Sequence, residues 1–300
     1  MRGLPRHLSG RPPRTVALAS LTLLLALASS TPGVAGASGA HRASDALVPC
    51  PVAAPAAIAG RIALPGIDEV SGVVAGRRTD GLLWIEEDSG NPSRIWGVDR
   101  AGNRLASVRV AGAVNLDWED IALARGRVWI ADIGDNLLVR PTIAVYSFPE
   151  PSPSVRRVDA AAVTLRYPDG PHNAEALFVD GPRRQLFVVT KEPGVAQVFR
   201  TPLPAPSERD LVLRMRPVIR LRLNRVTAAD LGPEGIVIKA GSAFLYRWTD
   251  DRRVASALAR EPCELPAGPG ESIAFGRSPD GLIAIPEGRD PPIYITPAEL

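Results

Sequence analysis

The chain has 300 residues, and its net charge of +3 comes from a basic N-terminus: without Arg2, Arg6, Arg11 and Arg14 the balance is −1. No basic block interleaved with aromatic residues remains, which excludes a nucleic-acid partner. Beyond residue 37 the histidines and cysteines are only His41, His172, Cys50 and Cys263, which excludes a Zn²⁺ or Cu²⁺ site built from several such ligands.

Residues 1–37 read as a cleavable export signal: the four arginines, then a mostly apolar run of 14 residues (16–29), then the small-x-small site Ala35-Gly36-Ala37. The apolar run is too short to span a bilayer, which takes about 20 residues. Pro49 is a poor neighbour for lipidation at Cys50, and no Arg-Arg pair points to the twin-arginine route. The expectation is a secreted, extracellular protein without a stable membrane anchor, in a compartment where Cys50 and Cys263 are oxidised to a disulfide.

Residues 38–59, rich in Ala, Pro and Ser, read as an extended leader, and residues 60–300 as one all-β domain. No stretch carries a sustained 3.6-residue apolar stripe. Instead, an acid opens a short apolar strand five times, at Glu69, Glu119, Glu175, Asp230 and Glu271, with spacings of 50, 56, 55 and 41 residues. Second strands follow at GLLWIEEDSG, GRVWIADIGDN, RQLFVVTKE, GIVIKAG and GLIAIPEG. Third strands follow at 94–98, 142–148, 196–200, 243–248 and 292–296, and fourth strands at 106–110, 162–166, 218–223 and 261–265. Four antiparallel strands per 40–55 residues describe a β-propeller blade. Five blades are expected, with six as the alternative because residues 201–225 exceed what their blade requires. The fifth repeat is one strand short, and residues 61–64 (RIAL) are expected to supply it and close the ring. A β-sandwich would give no reason for the periodic acids.

In a propeller the opening acids meet at one mouth of the central channel, beside the polar endings of the second strands, such as Asp88, Asp132, Lys191 and Glu287. Crowded carboxylates either hold protons or gather a cation. The candidate metal ligands are Glu69, Asp88, Glu119, Asp120, Asp132, Glu175, Asp230 and Glu271, and the expected ion is Ca²⁺, which accepts six to eight oxygens. The Asp132-Ile-Gly-Asp135-Asn136 turn is rich in such oxygens. The structural alternative is that these acids accept backbone N–H groups of the neighbouring blade. Lys191 is the obvious internal counter-charge, and His172, expected at the mouth, is the candidate acid or base; both are the candidate catalytic residues. No G-x-S-x-G elbow, phosphate-binding glycine loop or dinucleotide fingerprint is present. Trp84 and Trp129 read as core, and Trp118 is placed facing the channel.

Asp88-Ser-Gly-Asn, Asp117-Trp-Glu-Asp-Ile-Ala, Asp132-Ile-Gly-Asp-Asn, His172-Asn-Ala-Glu-Ala-Leu and Val189-Thr-Lys together resemble a family of secreted bacterial β-propeller proteins of unassigned function, over residues 60–300. Where that family often carries His-Asn before Asp-Ser-Gly, this chain has Glu86-Glu87. More distantly the architecture looks like calcium-dependent propeller hydrolases, such as β-propeller phytases and the gluconolactonase group. That resemblance implies Ca²⁺-assisted hydrolysis of a phosphoester or lactone. The alternative is a non-catalytic extracellular binding or scaffold module whose metal, if any, is structural. Either way the ligand at the mouth is a small molecule, glycan or peptide, and a monomer is expected. Quinone-dependent dehydrogenase chemistry is disfavoured, since Trp-docking repeats are absent.

Overall fold

The computed structural model describes Cys50 and residues 54–205, 211–278 and 280–297. The expected export signal and most of the expected leader lie outside the described residues. Chain order begins with β1 (Ala57–Arg61), followed by blade 1: β2 (Val70–Ala75), β3 (Leu83–Glu87), β4 (Arg94–Val98) and β5 (Arg104–Ala111). Blade 2 is β6 (Trp118–Ala124), β7 (Arg127–Asp132), β8 (Ile143–Pro149) and, after β9 (Arg157–Asp159), β10 (Ala161–Arg166). Blade 3 is β11 (Ala174–Asp180), β12 (Gln185–Thr190), β13 (Ala196–Pro202) and, after β14 (Leu211–Arg214), β15 (Arg216–Leu221). Blade 4 is β16 (Ala228–Leu231), β17 (Gly235–Ala240), β18 (Ser242–Arg247) and, after the helix α1 (Val254–Leu258), β19 (Cys263–Leu265). Blade 5 is β20 (Ser272–Phe275), β21 (Asp280–Ile285) and β22 (Pro292–Pro297), completed by β1 on its outer edge. The inner strands β2, β6, β11, β16 and β20 touch one another in cyclic order, β20 returning to β2. The fold is a five-bladed β-propeller.

The core explains why the strands read as unbroken apolar runs. Each blade packs on two neighbours, so central strands such as β2, β11 and β21 are buried at every residue. Five apolar clusters fill the five interfaces between blades. In β12, Leu186 and Val188 face blade 2 while Phe187 and Val189 face blade 4. Trp84 and Trp129 are core, as expected. Trp118 does not face the channel: it is fully buried between blades 1 and 2 and donates its indole N–H to the Val114 carbonyl at 2.9 Å.

The closing strand lies four residues earlier than residues 61–64. β1 pairs antiparallel with β22 through Ala57↔Ile295 to Arg61↔Pro292. The apolar signal of RIAL comes from Ile62 and Leu64, which pack in the interface of blades 5 and 1 without laddering. Gly60 permits the close approach of β1 to the turn between β4 and β5, since a Cβ there would collide with the backbone of Arg100 and Ala101. Cys50 and Cys263 form the expected disulfide, tying the segment before β1 to β19. A closed loop of this size is worth up to about 5 kcal/mol in the chain-entropy view.

The surplus between residues 201 and 225 forms no sixth blade. In each of blades 2, 3 and 4 the connection from third to fourth strand covers the outer edge of the preceding blade. β9 adds in parallel to β5, β14 adds in parallel to β10, and α1 packs its Val254, Ala257 and Leu258 into the cluster between blades 3 and 4. Exposed sheet edges invite edge-to-edge association, and these three connections cover them. No helix among the described residues is long and apolar enough to cross a membrane.

Candidate cation site at the channel mouth

β-Bulges aim the acids. The ladders of β2, β6 and β11 each carry one extra residue at the same level, namely Ser71, Glu119 and Glu175. Such bulges re-aim a side chain out of the regular alternation. In blade 1 the Ser71 hydroxyl donates to the Glu119 carbonyl at 2.9 Å, and in blade 4 the Thr227 hydroxyl donates to the Glu271 carbonyl at 2.8 Å. The ring at the mouth is therefore Ser71, Glu119, Glu175, Thr227 and Glu271, with hydroxyls in blades 1 and 4 where opening acids were expected.

Glu69 and Asp230 are displaced from that ring. Glu69 precedes its strand and accepts from the Asn91 side chain at 2.8 Å. Asp230 lies one level deeper, inside β16, and accepts the Phe275 N–H of blade 5 at 2.8 Å and its own neighbour's N–H from Leu231. Asp120 does the same from blade 2: its carboxylate accepts the Leu177 N–H at 2.8 Å, the Ala229 N–H at 3.2 Å and the Ile121 N–H at 2.8 Å. These two acids brace inner strands across the channel. Burial nevertheless holds Asp120 well above the ordinary carboxylate range and Asp230 at about 6. Asp120→Ala should leave three buried N–H groups without that acceptor, at about 1–3 kcal/mol each. The expected loss of about 3 kcal/mol or more, read by denaturant titration, should be the same with calcium or with chelator.

Three other carboxylates converge. Asp88, at the end of β3, meets Asp117 and Glu119 of blade 2, each offering an oxygen within 4.8 Å of the other two. Ligands on opposite sides of Ca²⁺ lie about 4.6–5.2 Å apart, twice the metal–oxygen distance, so one ion fits all three. Asn115 holds both arms in place. Its side-chain N–H₂ donates to the carbonyls of Glu87 and Asp88 at 2.9 and 2.8 Å, and its oxygen accepts the Trp118 N–H at 3.0 Å. Gly134 closes the far side, because a Cβ there would collide with the Asp117 and Glu119 carboxylates.

The electrostatics of this cluster are unbalanced. Burial raises Glu119 far above the usual range, and the charges of Glu175, Asp88, Asp117 and Glu86 raise it further. Asp117 is raised by burial and by Asp88. Glu86 is fully buried and held well above the ordinary range by burial and by the charges of Asp120 and Asp88, with only the Gly72 backbone N–H to offset them. A buried carboxylate with so little to offset it is costly unless it holds a proton or meets a cation.

The remaining acids at the mouth, Glu287 apart, have partners of their own. Lys191 pairs with Glu175 at 2.5 Å and approaches Glu271 at 3.9 Å. Burial raises Glu175 above its ordinary range, and Lys191 offsets part of that rise. Glu287 feels Glu271, Asp88 and Glu69 and is raised by burial. Asp132 is neutralised by Arg140 at 2.6 Å, and Asp135 accepts the N–H groups of Val139 and Arg140 at 2.9 and 2.7 Å. The oxygen-rich turn thus satisfies its own backbone. His172 stands between two carboxylates, its Nδ1 2.5 Å from Glu192 and its Nε2 3.0 Å from Asp169, with its ring against Tyr167 and Phe199. Both ring nitrogens are engaged.

No known family model and no curated protein sequence matches this chain. Solved structures similar to it include the PQQ-bound aldose sugar dehydrogenase of Streptomyces coelicolor, at 12% identity over 81% of this chain and 99% of that one, with a TM-score of 0.47. A luciferin-regenerating enzyme is similar at 11% identity over 77% and 78% of the two chains, TM-score 0.42. A protein of unknown function from Bacteroides thetaiotaomicron is similar at 7% identity over 81% and 75%, TM-score 0.45. At this distance the site rests on the chain's own residues.

Four polar residues received no site role from the sequence. Asp117 and Asn115 sit in Asn115-Leu-Asp-Trp-Glu-Asp, where the opening acid Glu119 draws attention from its neighbours. Glu86 sits in an apolar strand, as does Lys239, a second internal cation, which is 1% exposed and donates to the Gly268 carbonyl at 2.6 Å. A charge inside a strand buried on both faces is the signal that marks the last two.

Proposed function

We propose that this chain is an exported β-propeller that binds one Ca²⁺ at the channel mouth through Asp88, Asp117 and Glu119 and hydrolyses a phosphoester or lactone there. The observation that carries the reading is the convergence of these three carboxylates, with the fully buried Glu86 adding a further negative charge beside them. The disulfide supports an oxidising, extracellular location. Bound there, Ca²⁺ supplies Lewis-acid polarisation of a substrate oxygen. Lys191, next to the cluster and half-buried, faces the anionic oxygens of the substrate. Glu175, raised by burial and 2.5 Å from Lys191, would take a proton from the attacking water and return it to the leaving oxygen as the ester bond breaks. His172 has no free nitrogen and takes no part in this reading.

A second reading, a non-catalytic binding module with a structural ion, is favoured by the same engaged histidine. Steady-state hydrolysis of a phosphomonoester and lactone panel separates the two. The catalytic reading expects turnover that chelator abolishes, and a loss of about 10²-fold in kcat/KM for Lys191→Ala, in the range of a removed acid–base or charge-stabilising group. Calcium binding without turnover of any panel member supports the second reading.

A further inference from the structure

A broad groove lies away from the channel, on the outer flank of blade 1. It encloses about 630 Å³ and is lined by Arg94, Arg104, Arg109, Arg156 and Arg157 together with Ser107. The topology assembles it. In the β4–β5 ladder Arg94 stands directly opposite Arg109, and in the β5–β9 ladder Arg109 stands directly opposite Arg157. Cross-strand partners share a face with their Cα atoms about 4.5–5.5 Å apart, so one rung carries three guanidinium groups from three strands. Arg156 and Arg157 reach this sheet only because the third-to-fourth connection of blade 2 turns back to the edge of blade 1.

Like charges directly opposite destabilise a ladder, and this row has little to offset them. Arg94 donates to the Ser107 hydroxyl at 2.6 Å and lies over the Trp96 ring, its Cζ 5.4 Å from the centroid. Arg156 donates to the Pro153 carbonyl at 2.7 Å. Arg104 and Arg109 have no side-chain hydrogen bond or ion pair among the described residues. The one carboxylate pair is Arg157 with Asp159 at 3.0 Å, with side chains 58% and 79% exposed, a geometry that contributes little.

We propose that this groove binds a linear anionic polysaccharide carrying sulfate or phosphate groups. Guanidinium forks match the geometry of such oxyanions, and an oxyanion between neighbouring guanidiniums turns the repulsion into attraction. A polymer fits better than a single ion because the groove continues. A second cavity of about 420 Å³ shares Arg94 and Arg109 and is lined further by Pro92, Ser93 and Gly112. Those residues flank β4 and β5, so the two cavities form one continuous basic surface along the edge of blade 1. No aromatic side chain lines either cavity, and a single-stranded nucleic acid would need such stacking platforms.

The test is binding of dextran sulfate and of polyphosphate to the purified mature protein, with neutral dextran and single-stranded DNA as comparators. Dextran sulfate, polyphosphate or both should bind, neutral dextran should not, and the affinity should fall as NaCl rises. Arg109→Ser with Arg157→Ser should weaken that binding at least tenfold while the melting temperature of the free protein stays level or rises, because the row of like charges is gone. Arg104→Ser, at an exposed position, should weaken it about threefold and serves if the double variant does not fold. Equal affinity of variants and parent, salt-independent binding, or tighter binding of single-stranded DNA than of both polymers overturns the proposal.

Discussion

Ca²⁺ added to metal-free protein should raise its melting temperature, and Glu119→Gln should remove most of that rise while leaving the β-sheet spectrum intact. A ligand held only by the native state stabilises by mass action, about 2.7 kcal/mol at a hundred times its dissociation constant. The pH dependence gives the same site a second readout. Glu119 is raised by burial and by the charge of Glu175, Glu175 is raised by burial and by the charges of Glu271 and Asp88, and Asp230 is raised by burial from 3.8 to about 6. A group with a raised folded-state pKa stabilises fully below its unfolded pKa and loses that contribution as pH rises through the folded value. The metal-free protein should therefore lose stability from about pH 4 upward, with the share of Asp230 gone by about pH 7. Calcium favours the charged form of Glu119, so its stabilising effect should grow over the same range. Thermal melts from pH 4 to 9, with calcium and with chelator, measure both trends. Parallel curves in the two series, or a Glu119→Gln variant that keeps the full calcium response, would remove the site.

Deleting residues 38–66 should abolish the cooperative fold. The segment contains β1, whose removal strips the outer edge of β22 and leaves blade 5 with three strands. It also contains Ile62, which is fully buried between blades 5 and 1, and Cys50, half of the disulfide. Losing the cross-link alone is worth up to about 5 kcal/mol, comparable with the whole stability of many domains, about 5–15 kcal/mol. The exposed edge of β22 would in addition offer unpaired N–H and C=O groups to other chains. Circular dichroism melts and size-exclusion chromatography should show a broad, non-cooperative transition and aggregation. A deletion variant that melts sharply near the parent temperature would mean that closure does not hold the ring together.

Much of this molecule was legible because a propeller writes its repeat into the chain. The five openings, the second strands that end in polar residues, and the missing strand of the last blade all follow from local rules: strand period, turn residues and repeat spacing. The cysteine pairing was legible for the same reason, since blade order placed the segment before β1 beside the outer strand of blade 4. Register was not legible. A one-residue bulge moves Glu119 and Glu175 to the mouth while Asp230, in an unbulged ladder, falls one level deeper, and the three look alike in sequence. The RIAL segment misled because burial and pairing are different demands: Ile62 is apolar for the interface between blades, whereas the exposed β1 pairs through its backbone.

The sequence by itself determined an all-β propeller ring closed by its N-terminal segment and pinned by one disulfide, with five blades favoured over six, because those features depend on nearest-neighbour patterns. Only the tertiary structure decided which acids meet. Asp88 and Glu119 come from different blades, Asp117 is brought to them by Asn115, and Asp120 reaches through the channel to the backbones of Leu177 and Ala229. Asp132, equally acidic in sequence, is withdrawn by Arg140, eight residues further on. Coulomb energies depend on distances of a few ångströms across chain separations of tens of residues, and those distances exist only once the ring is closed.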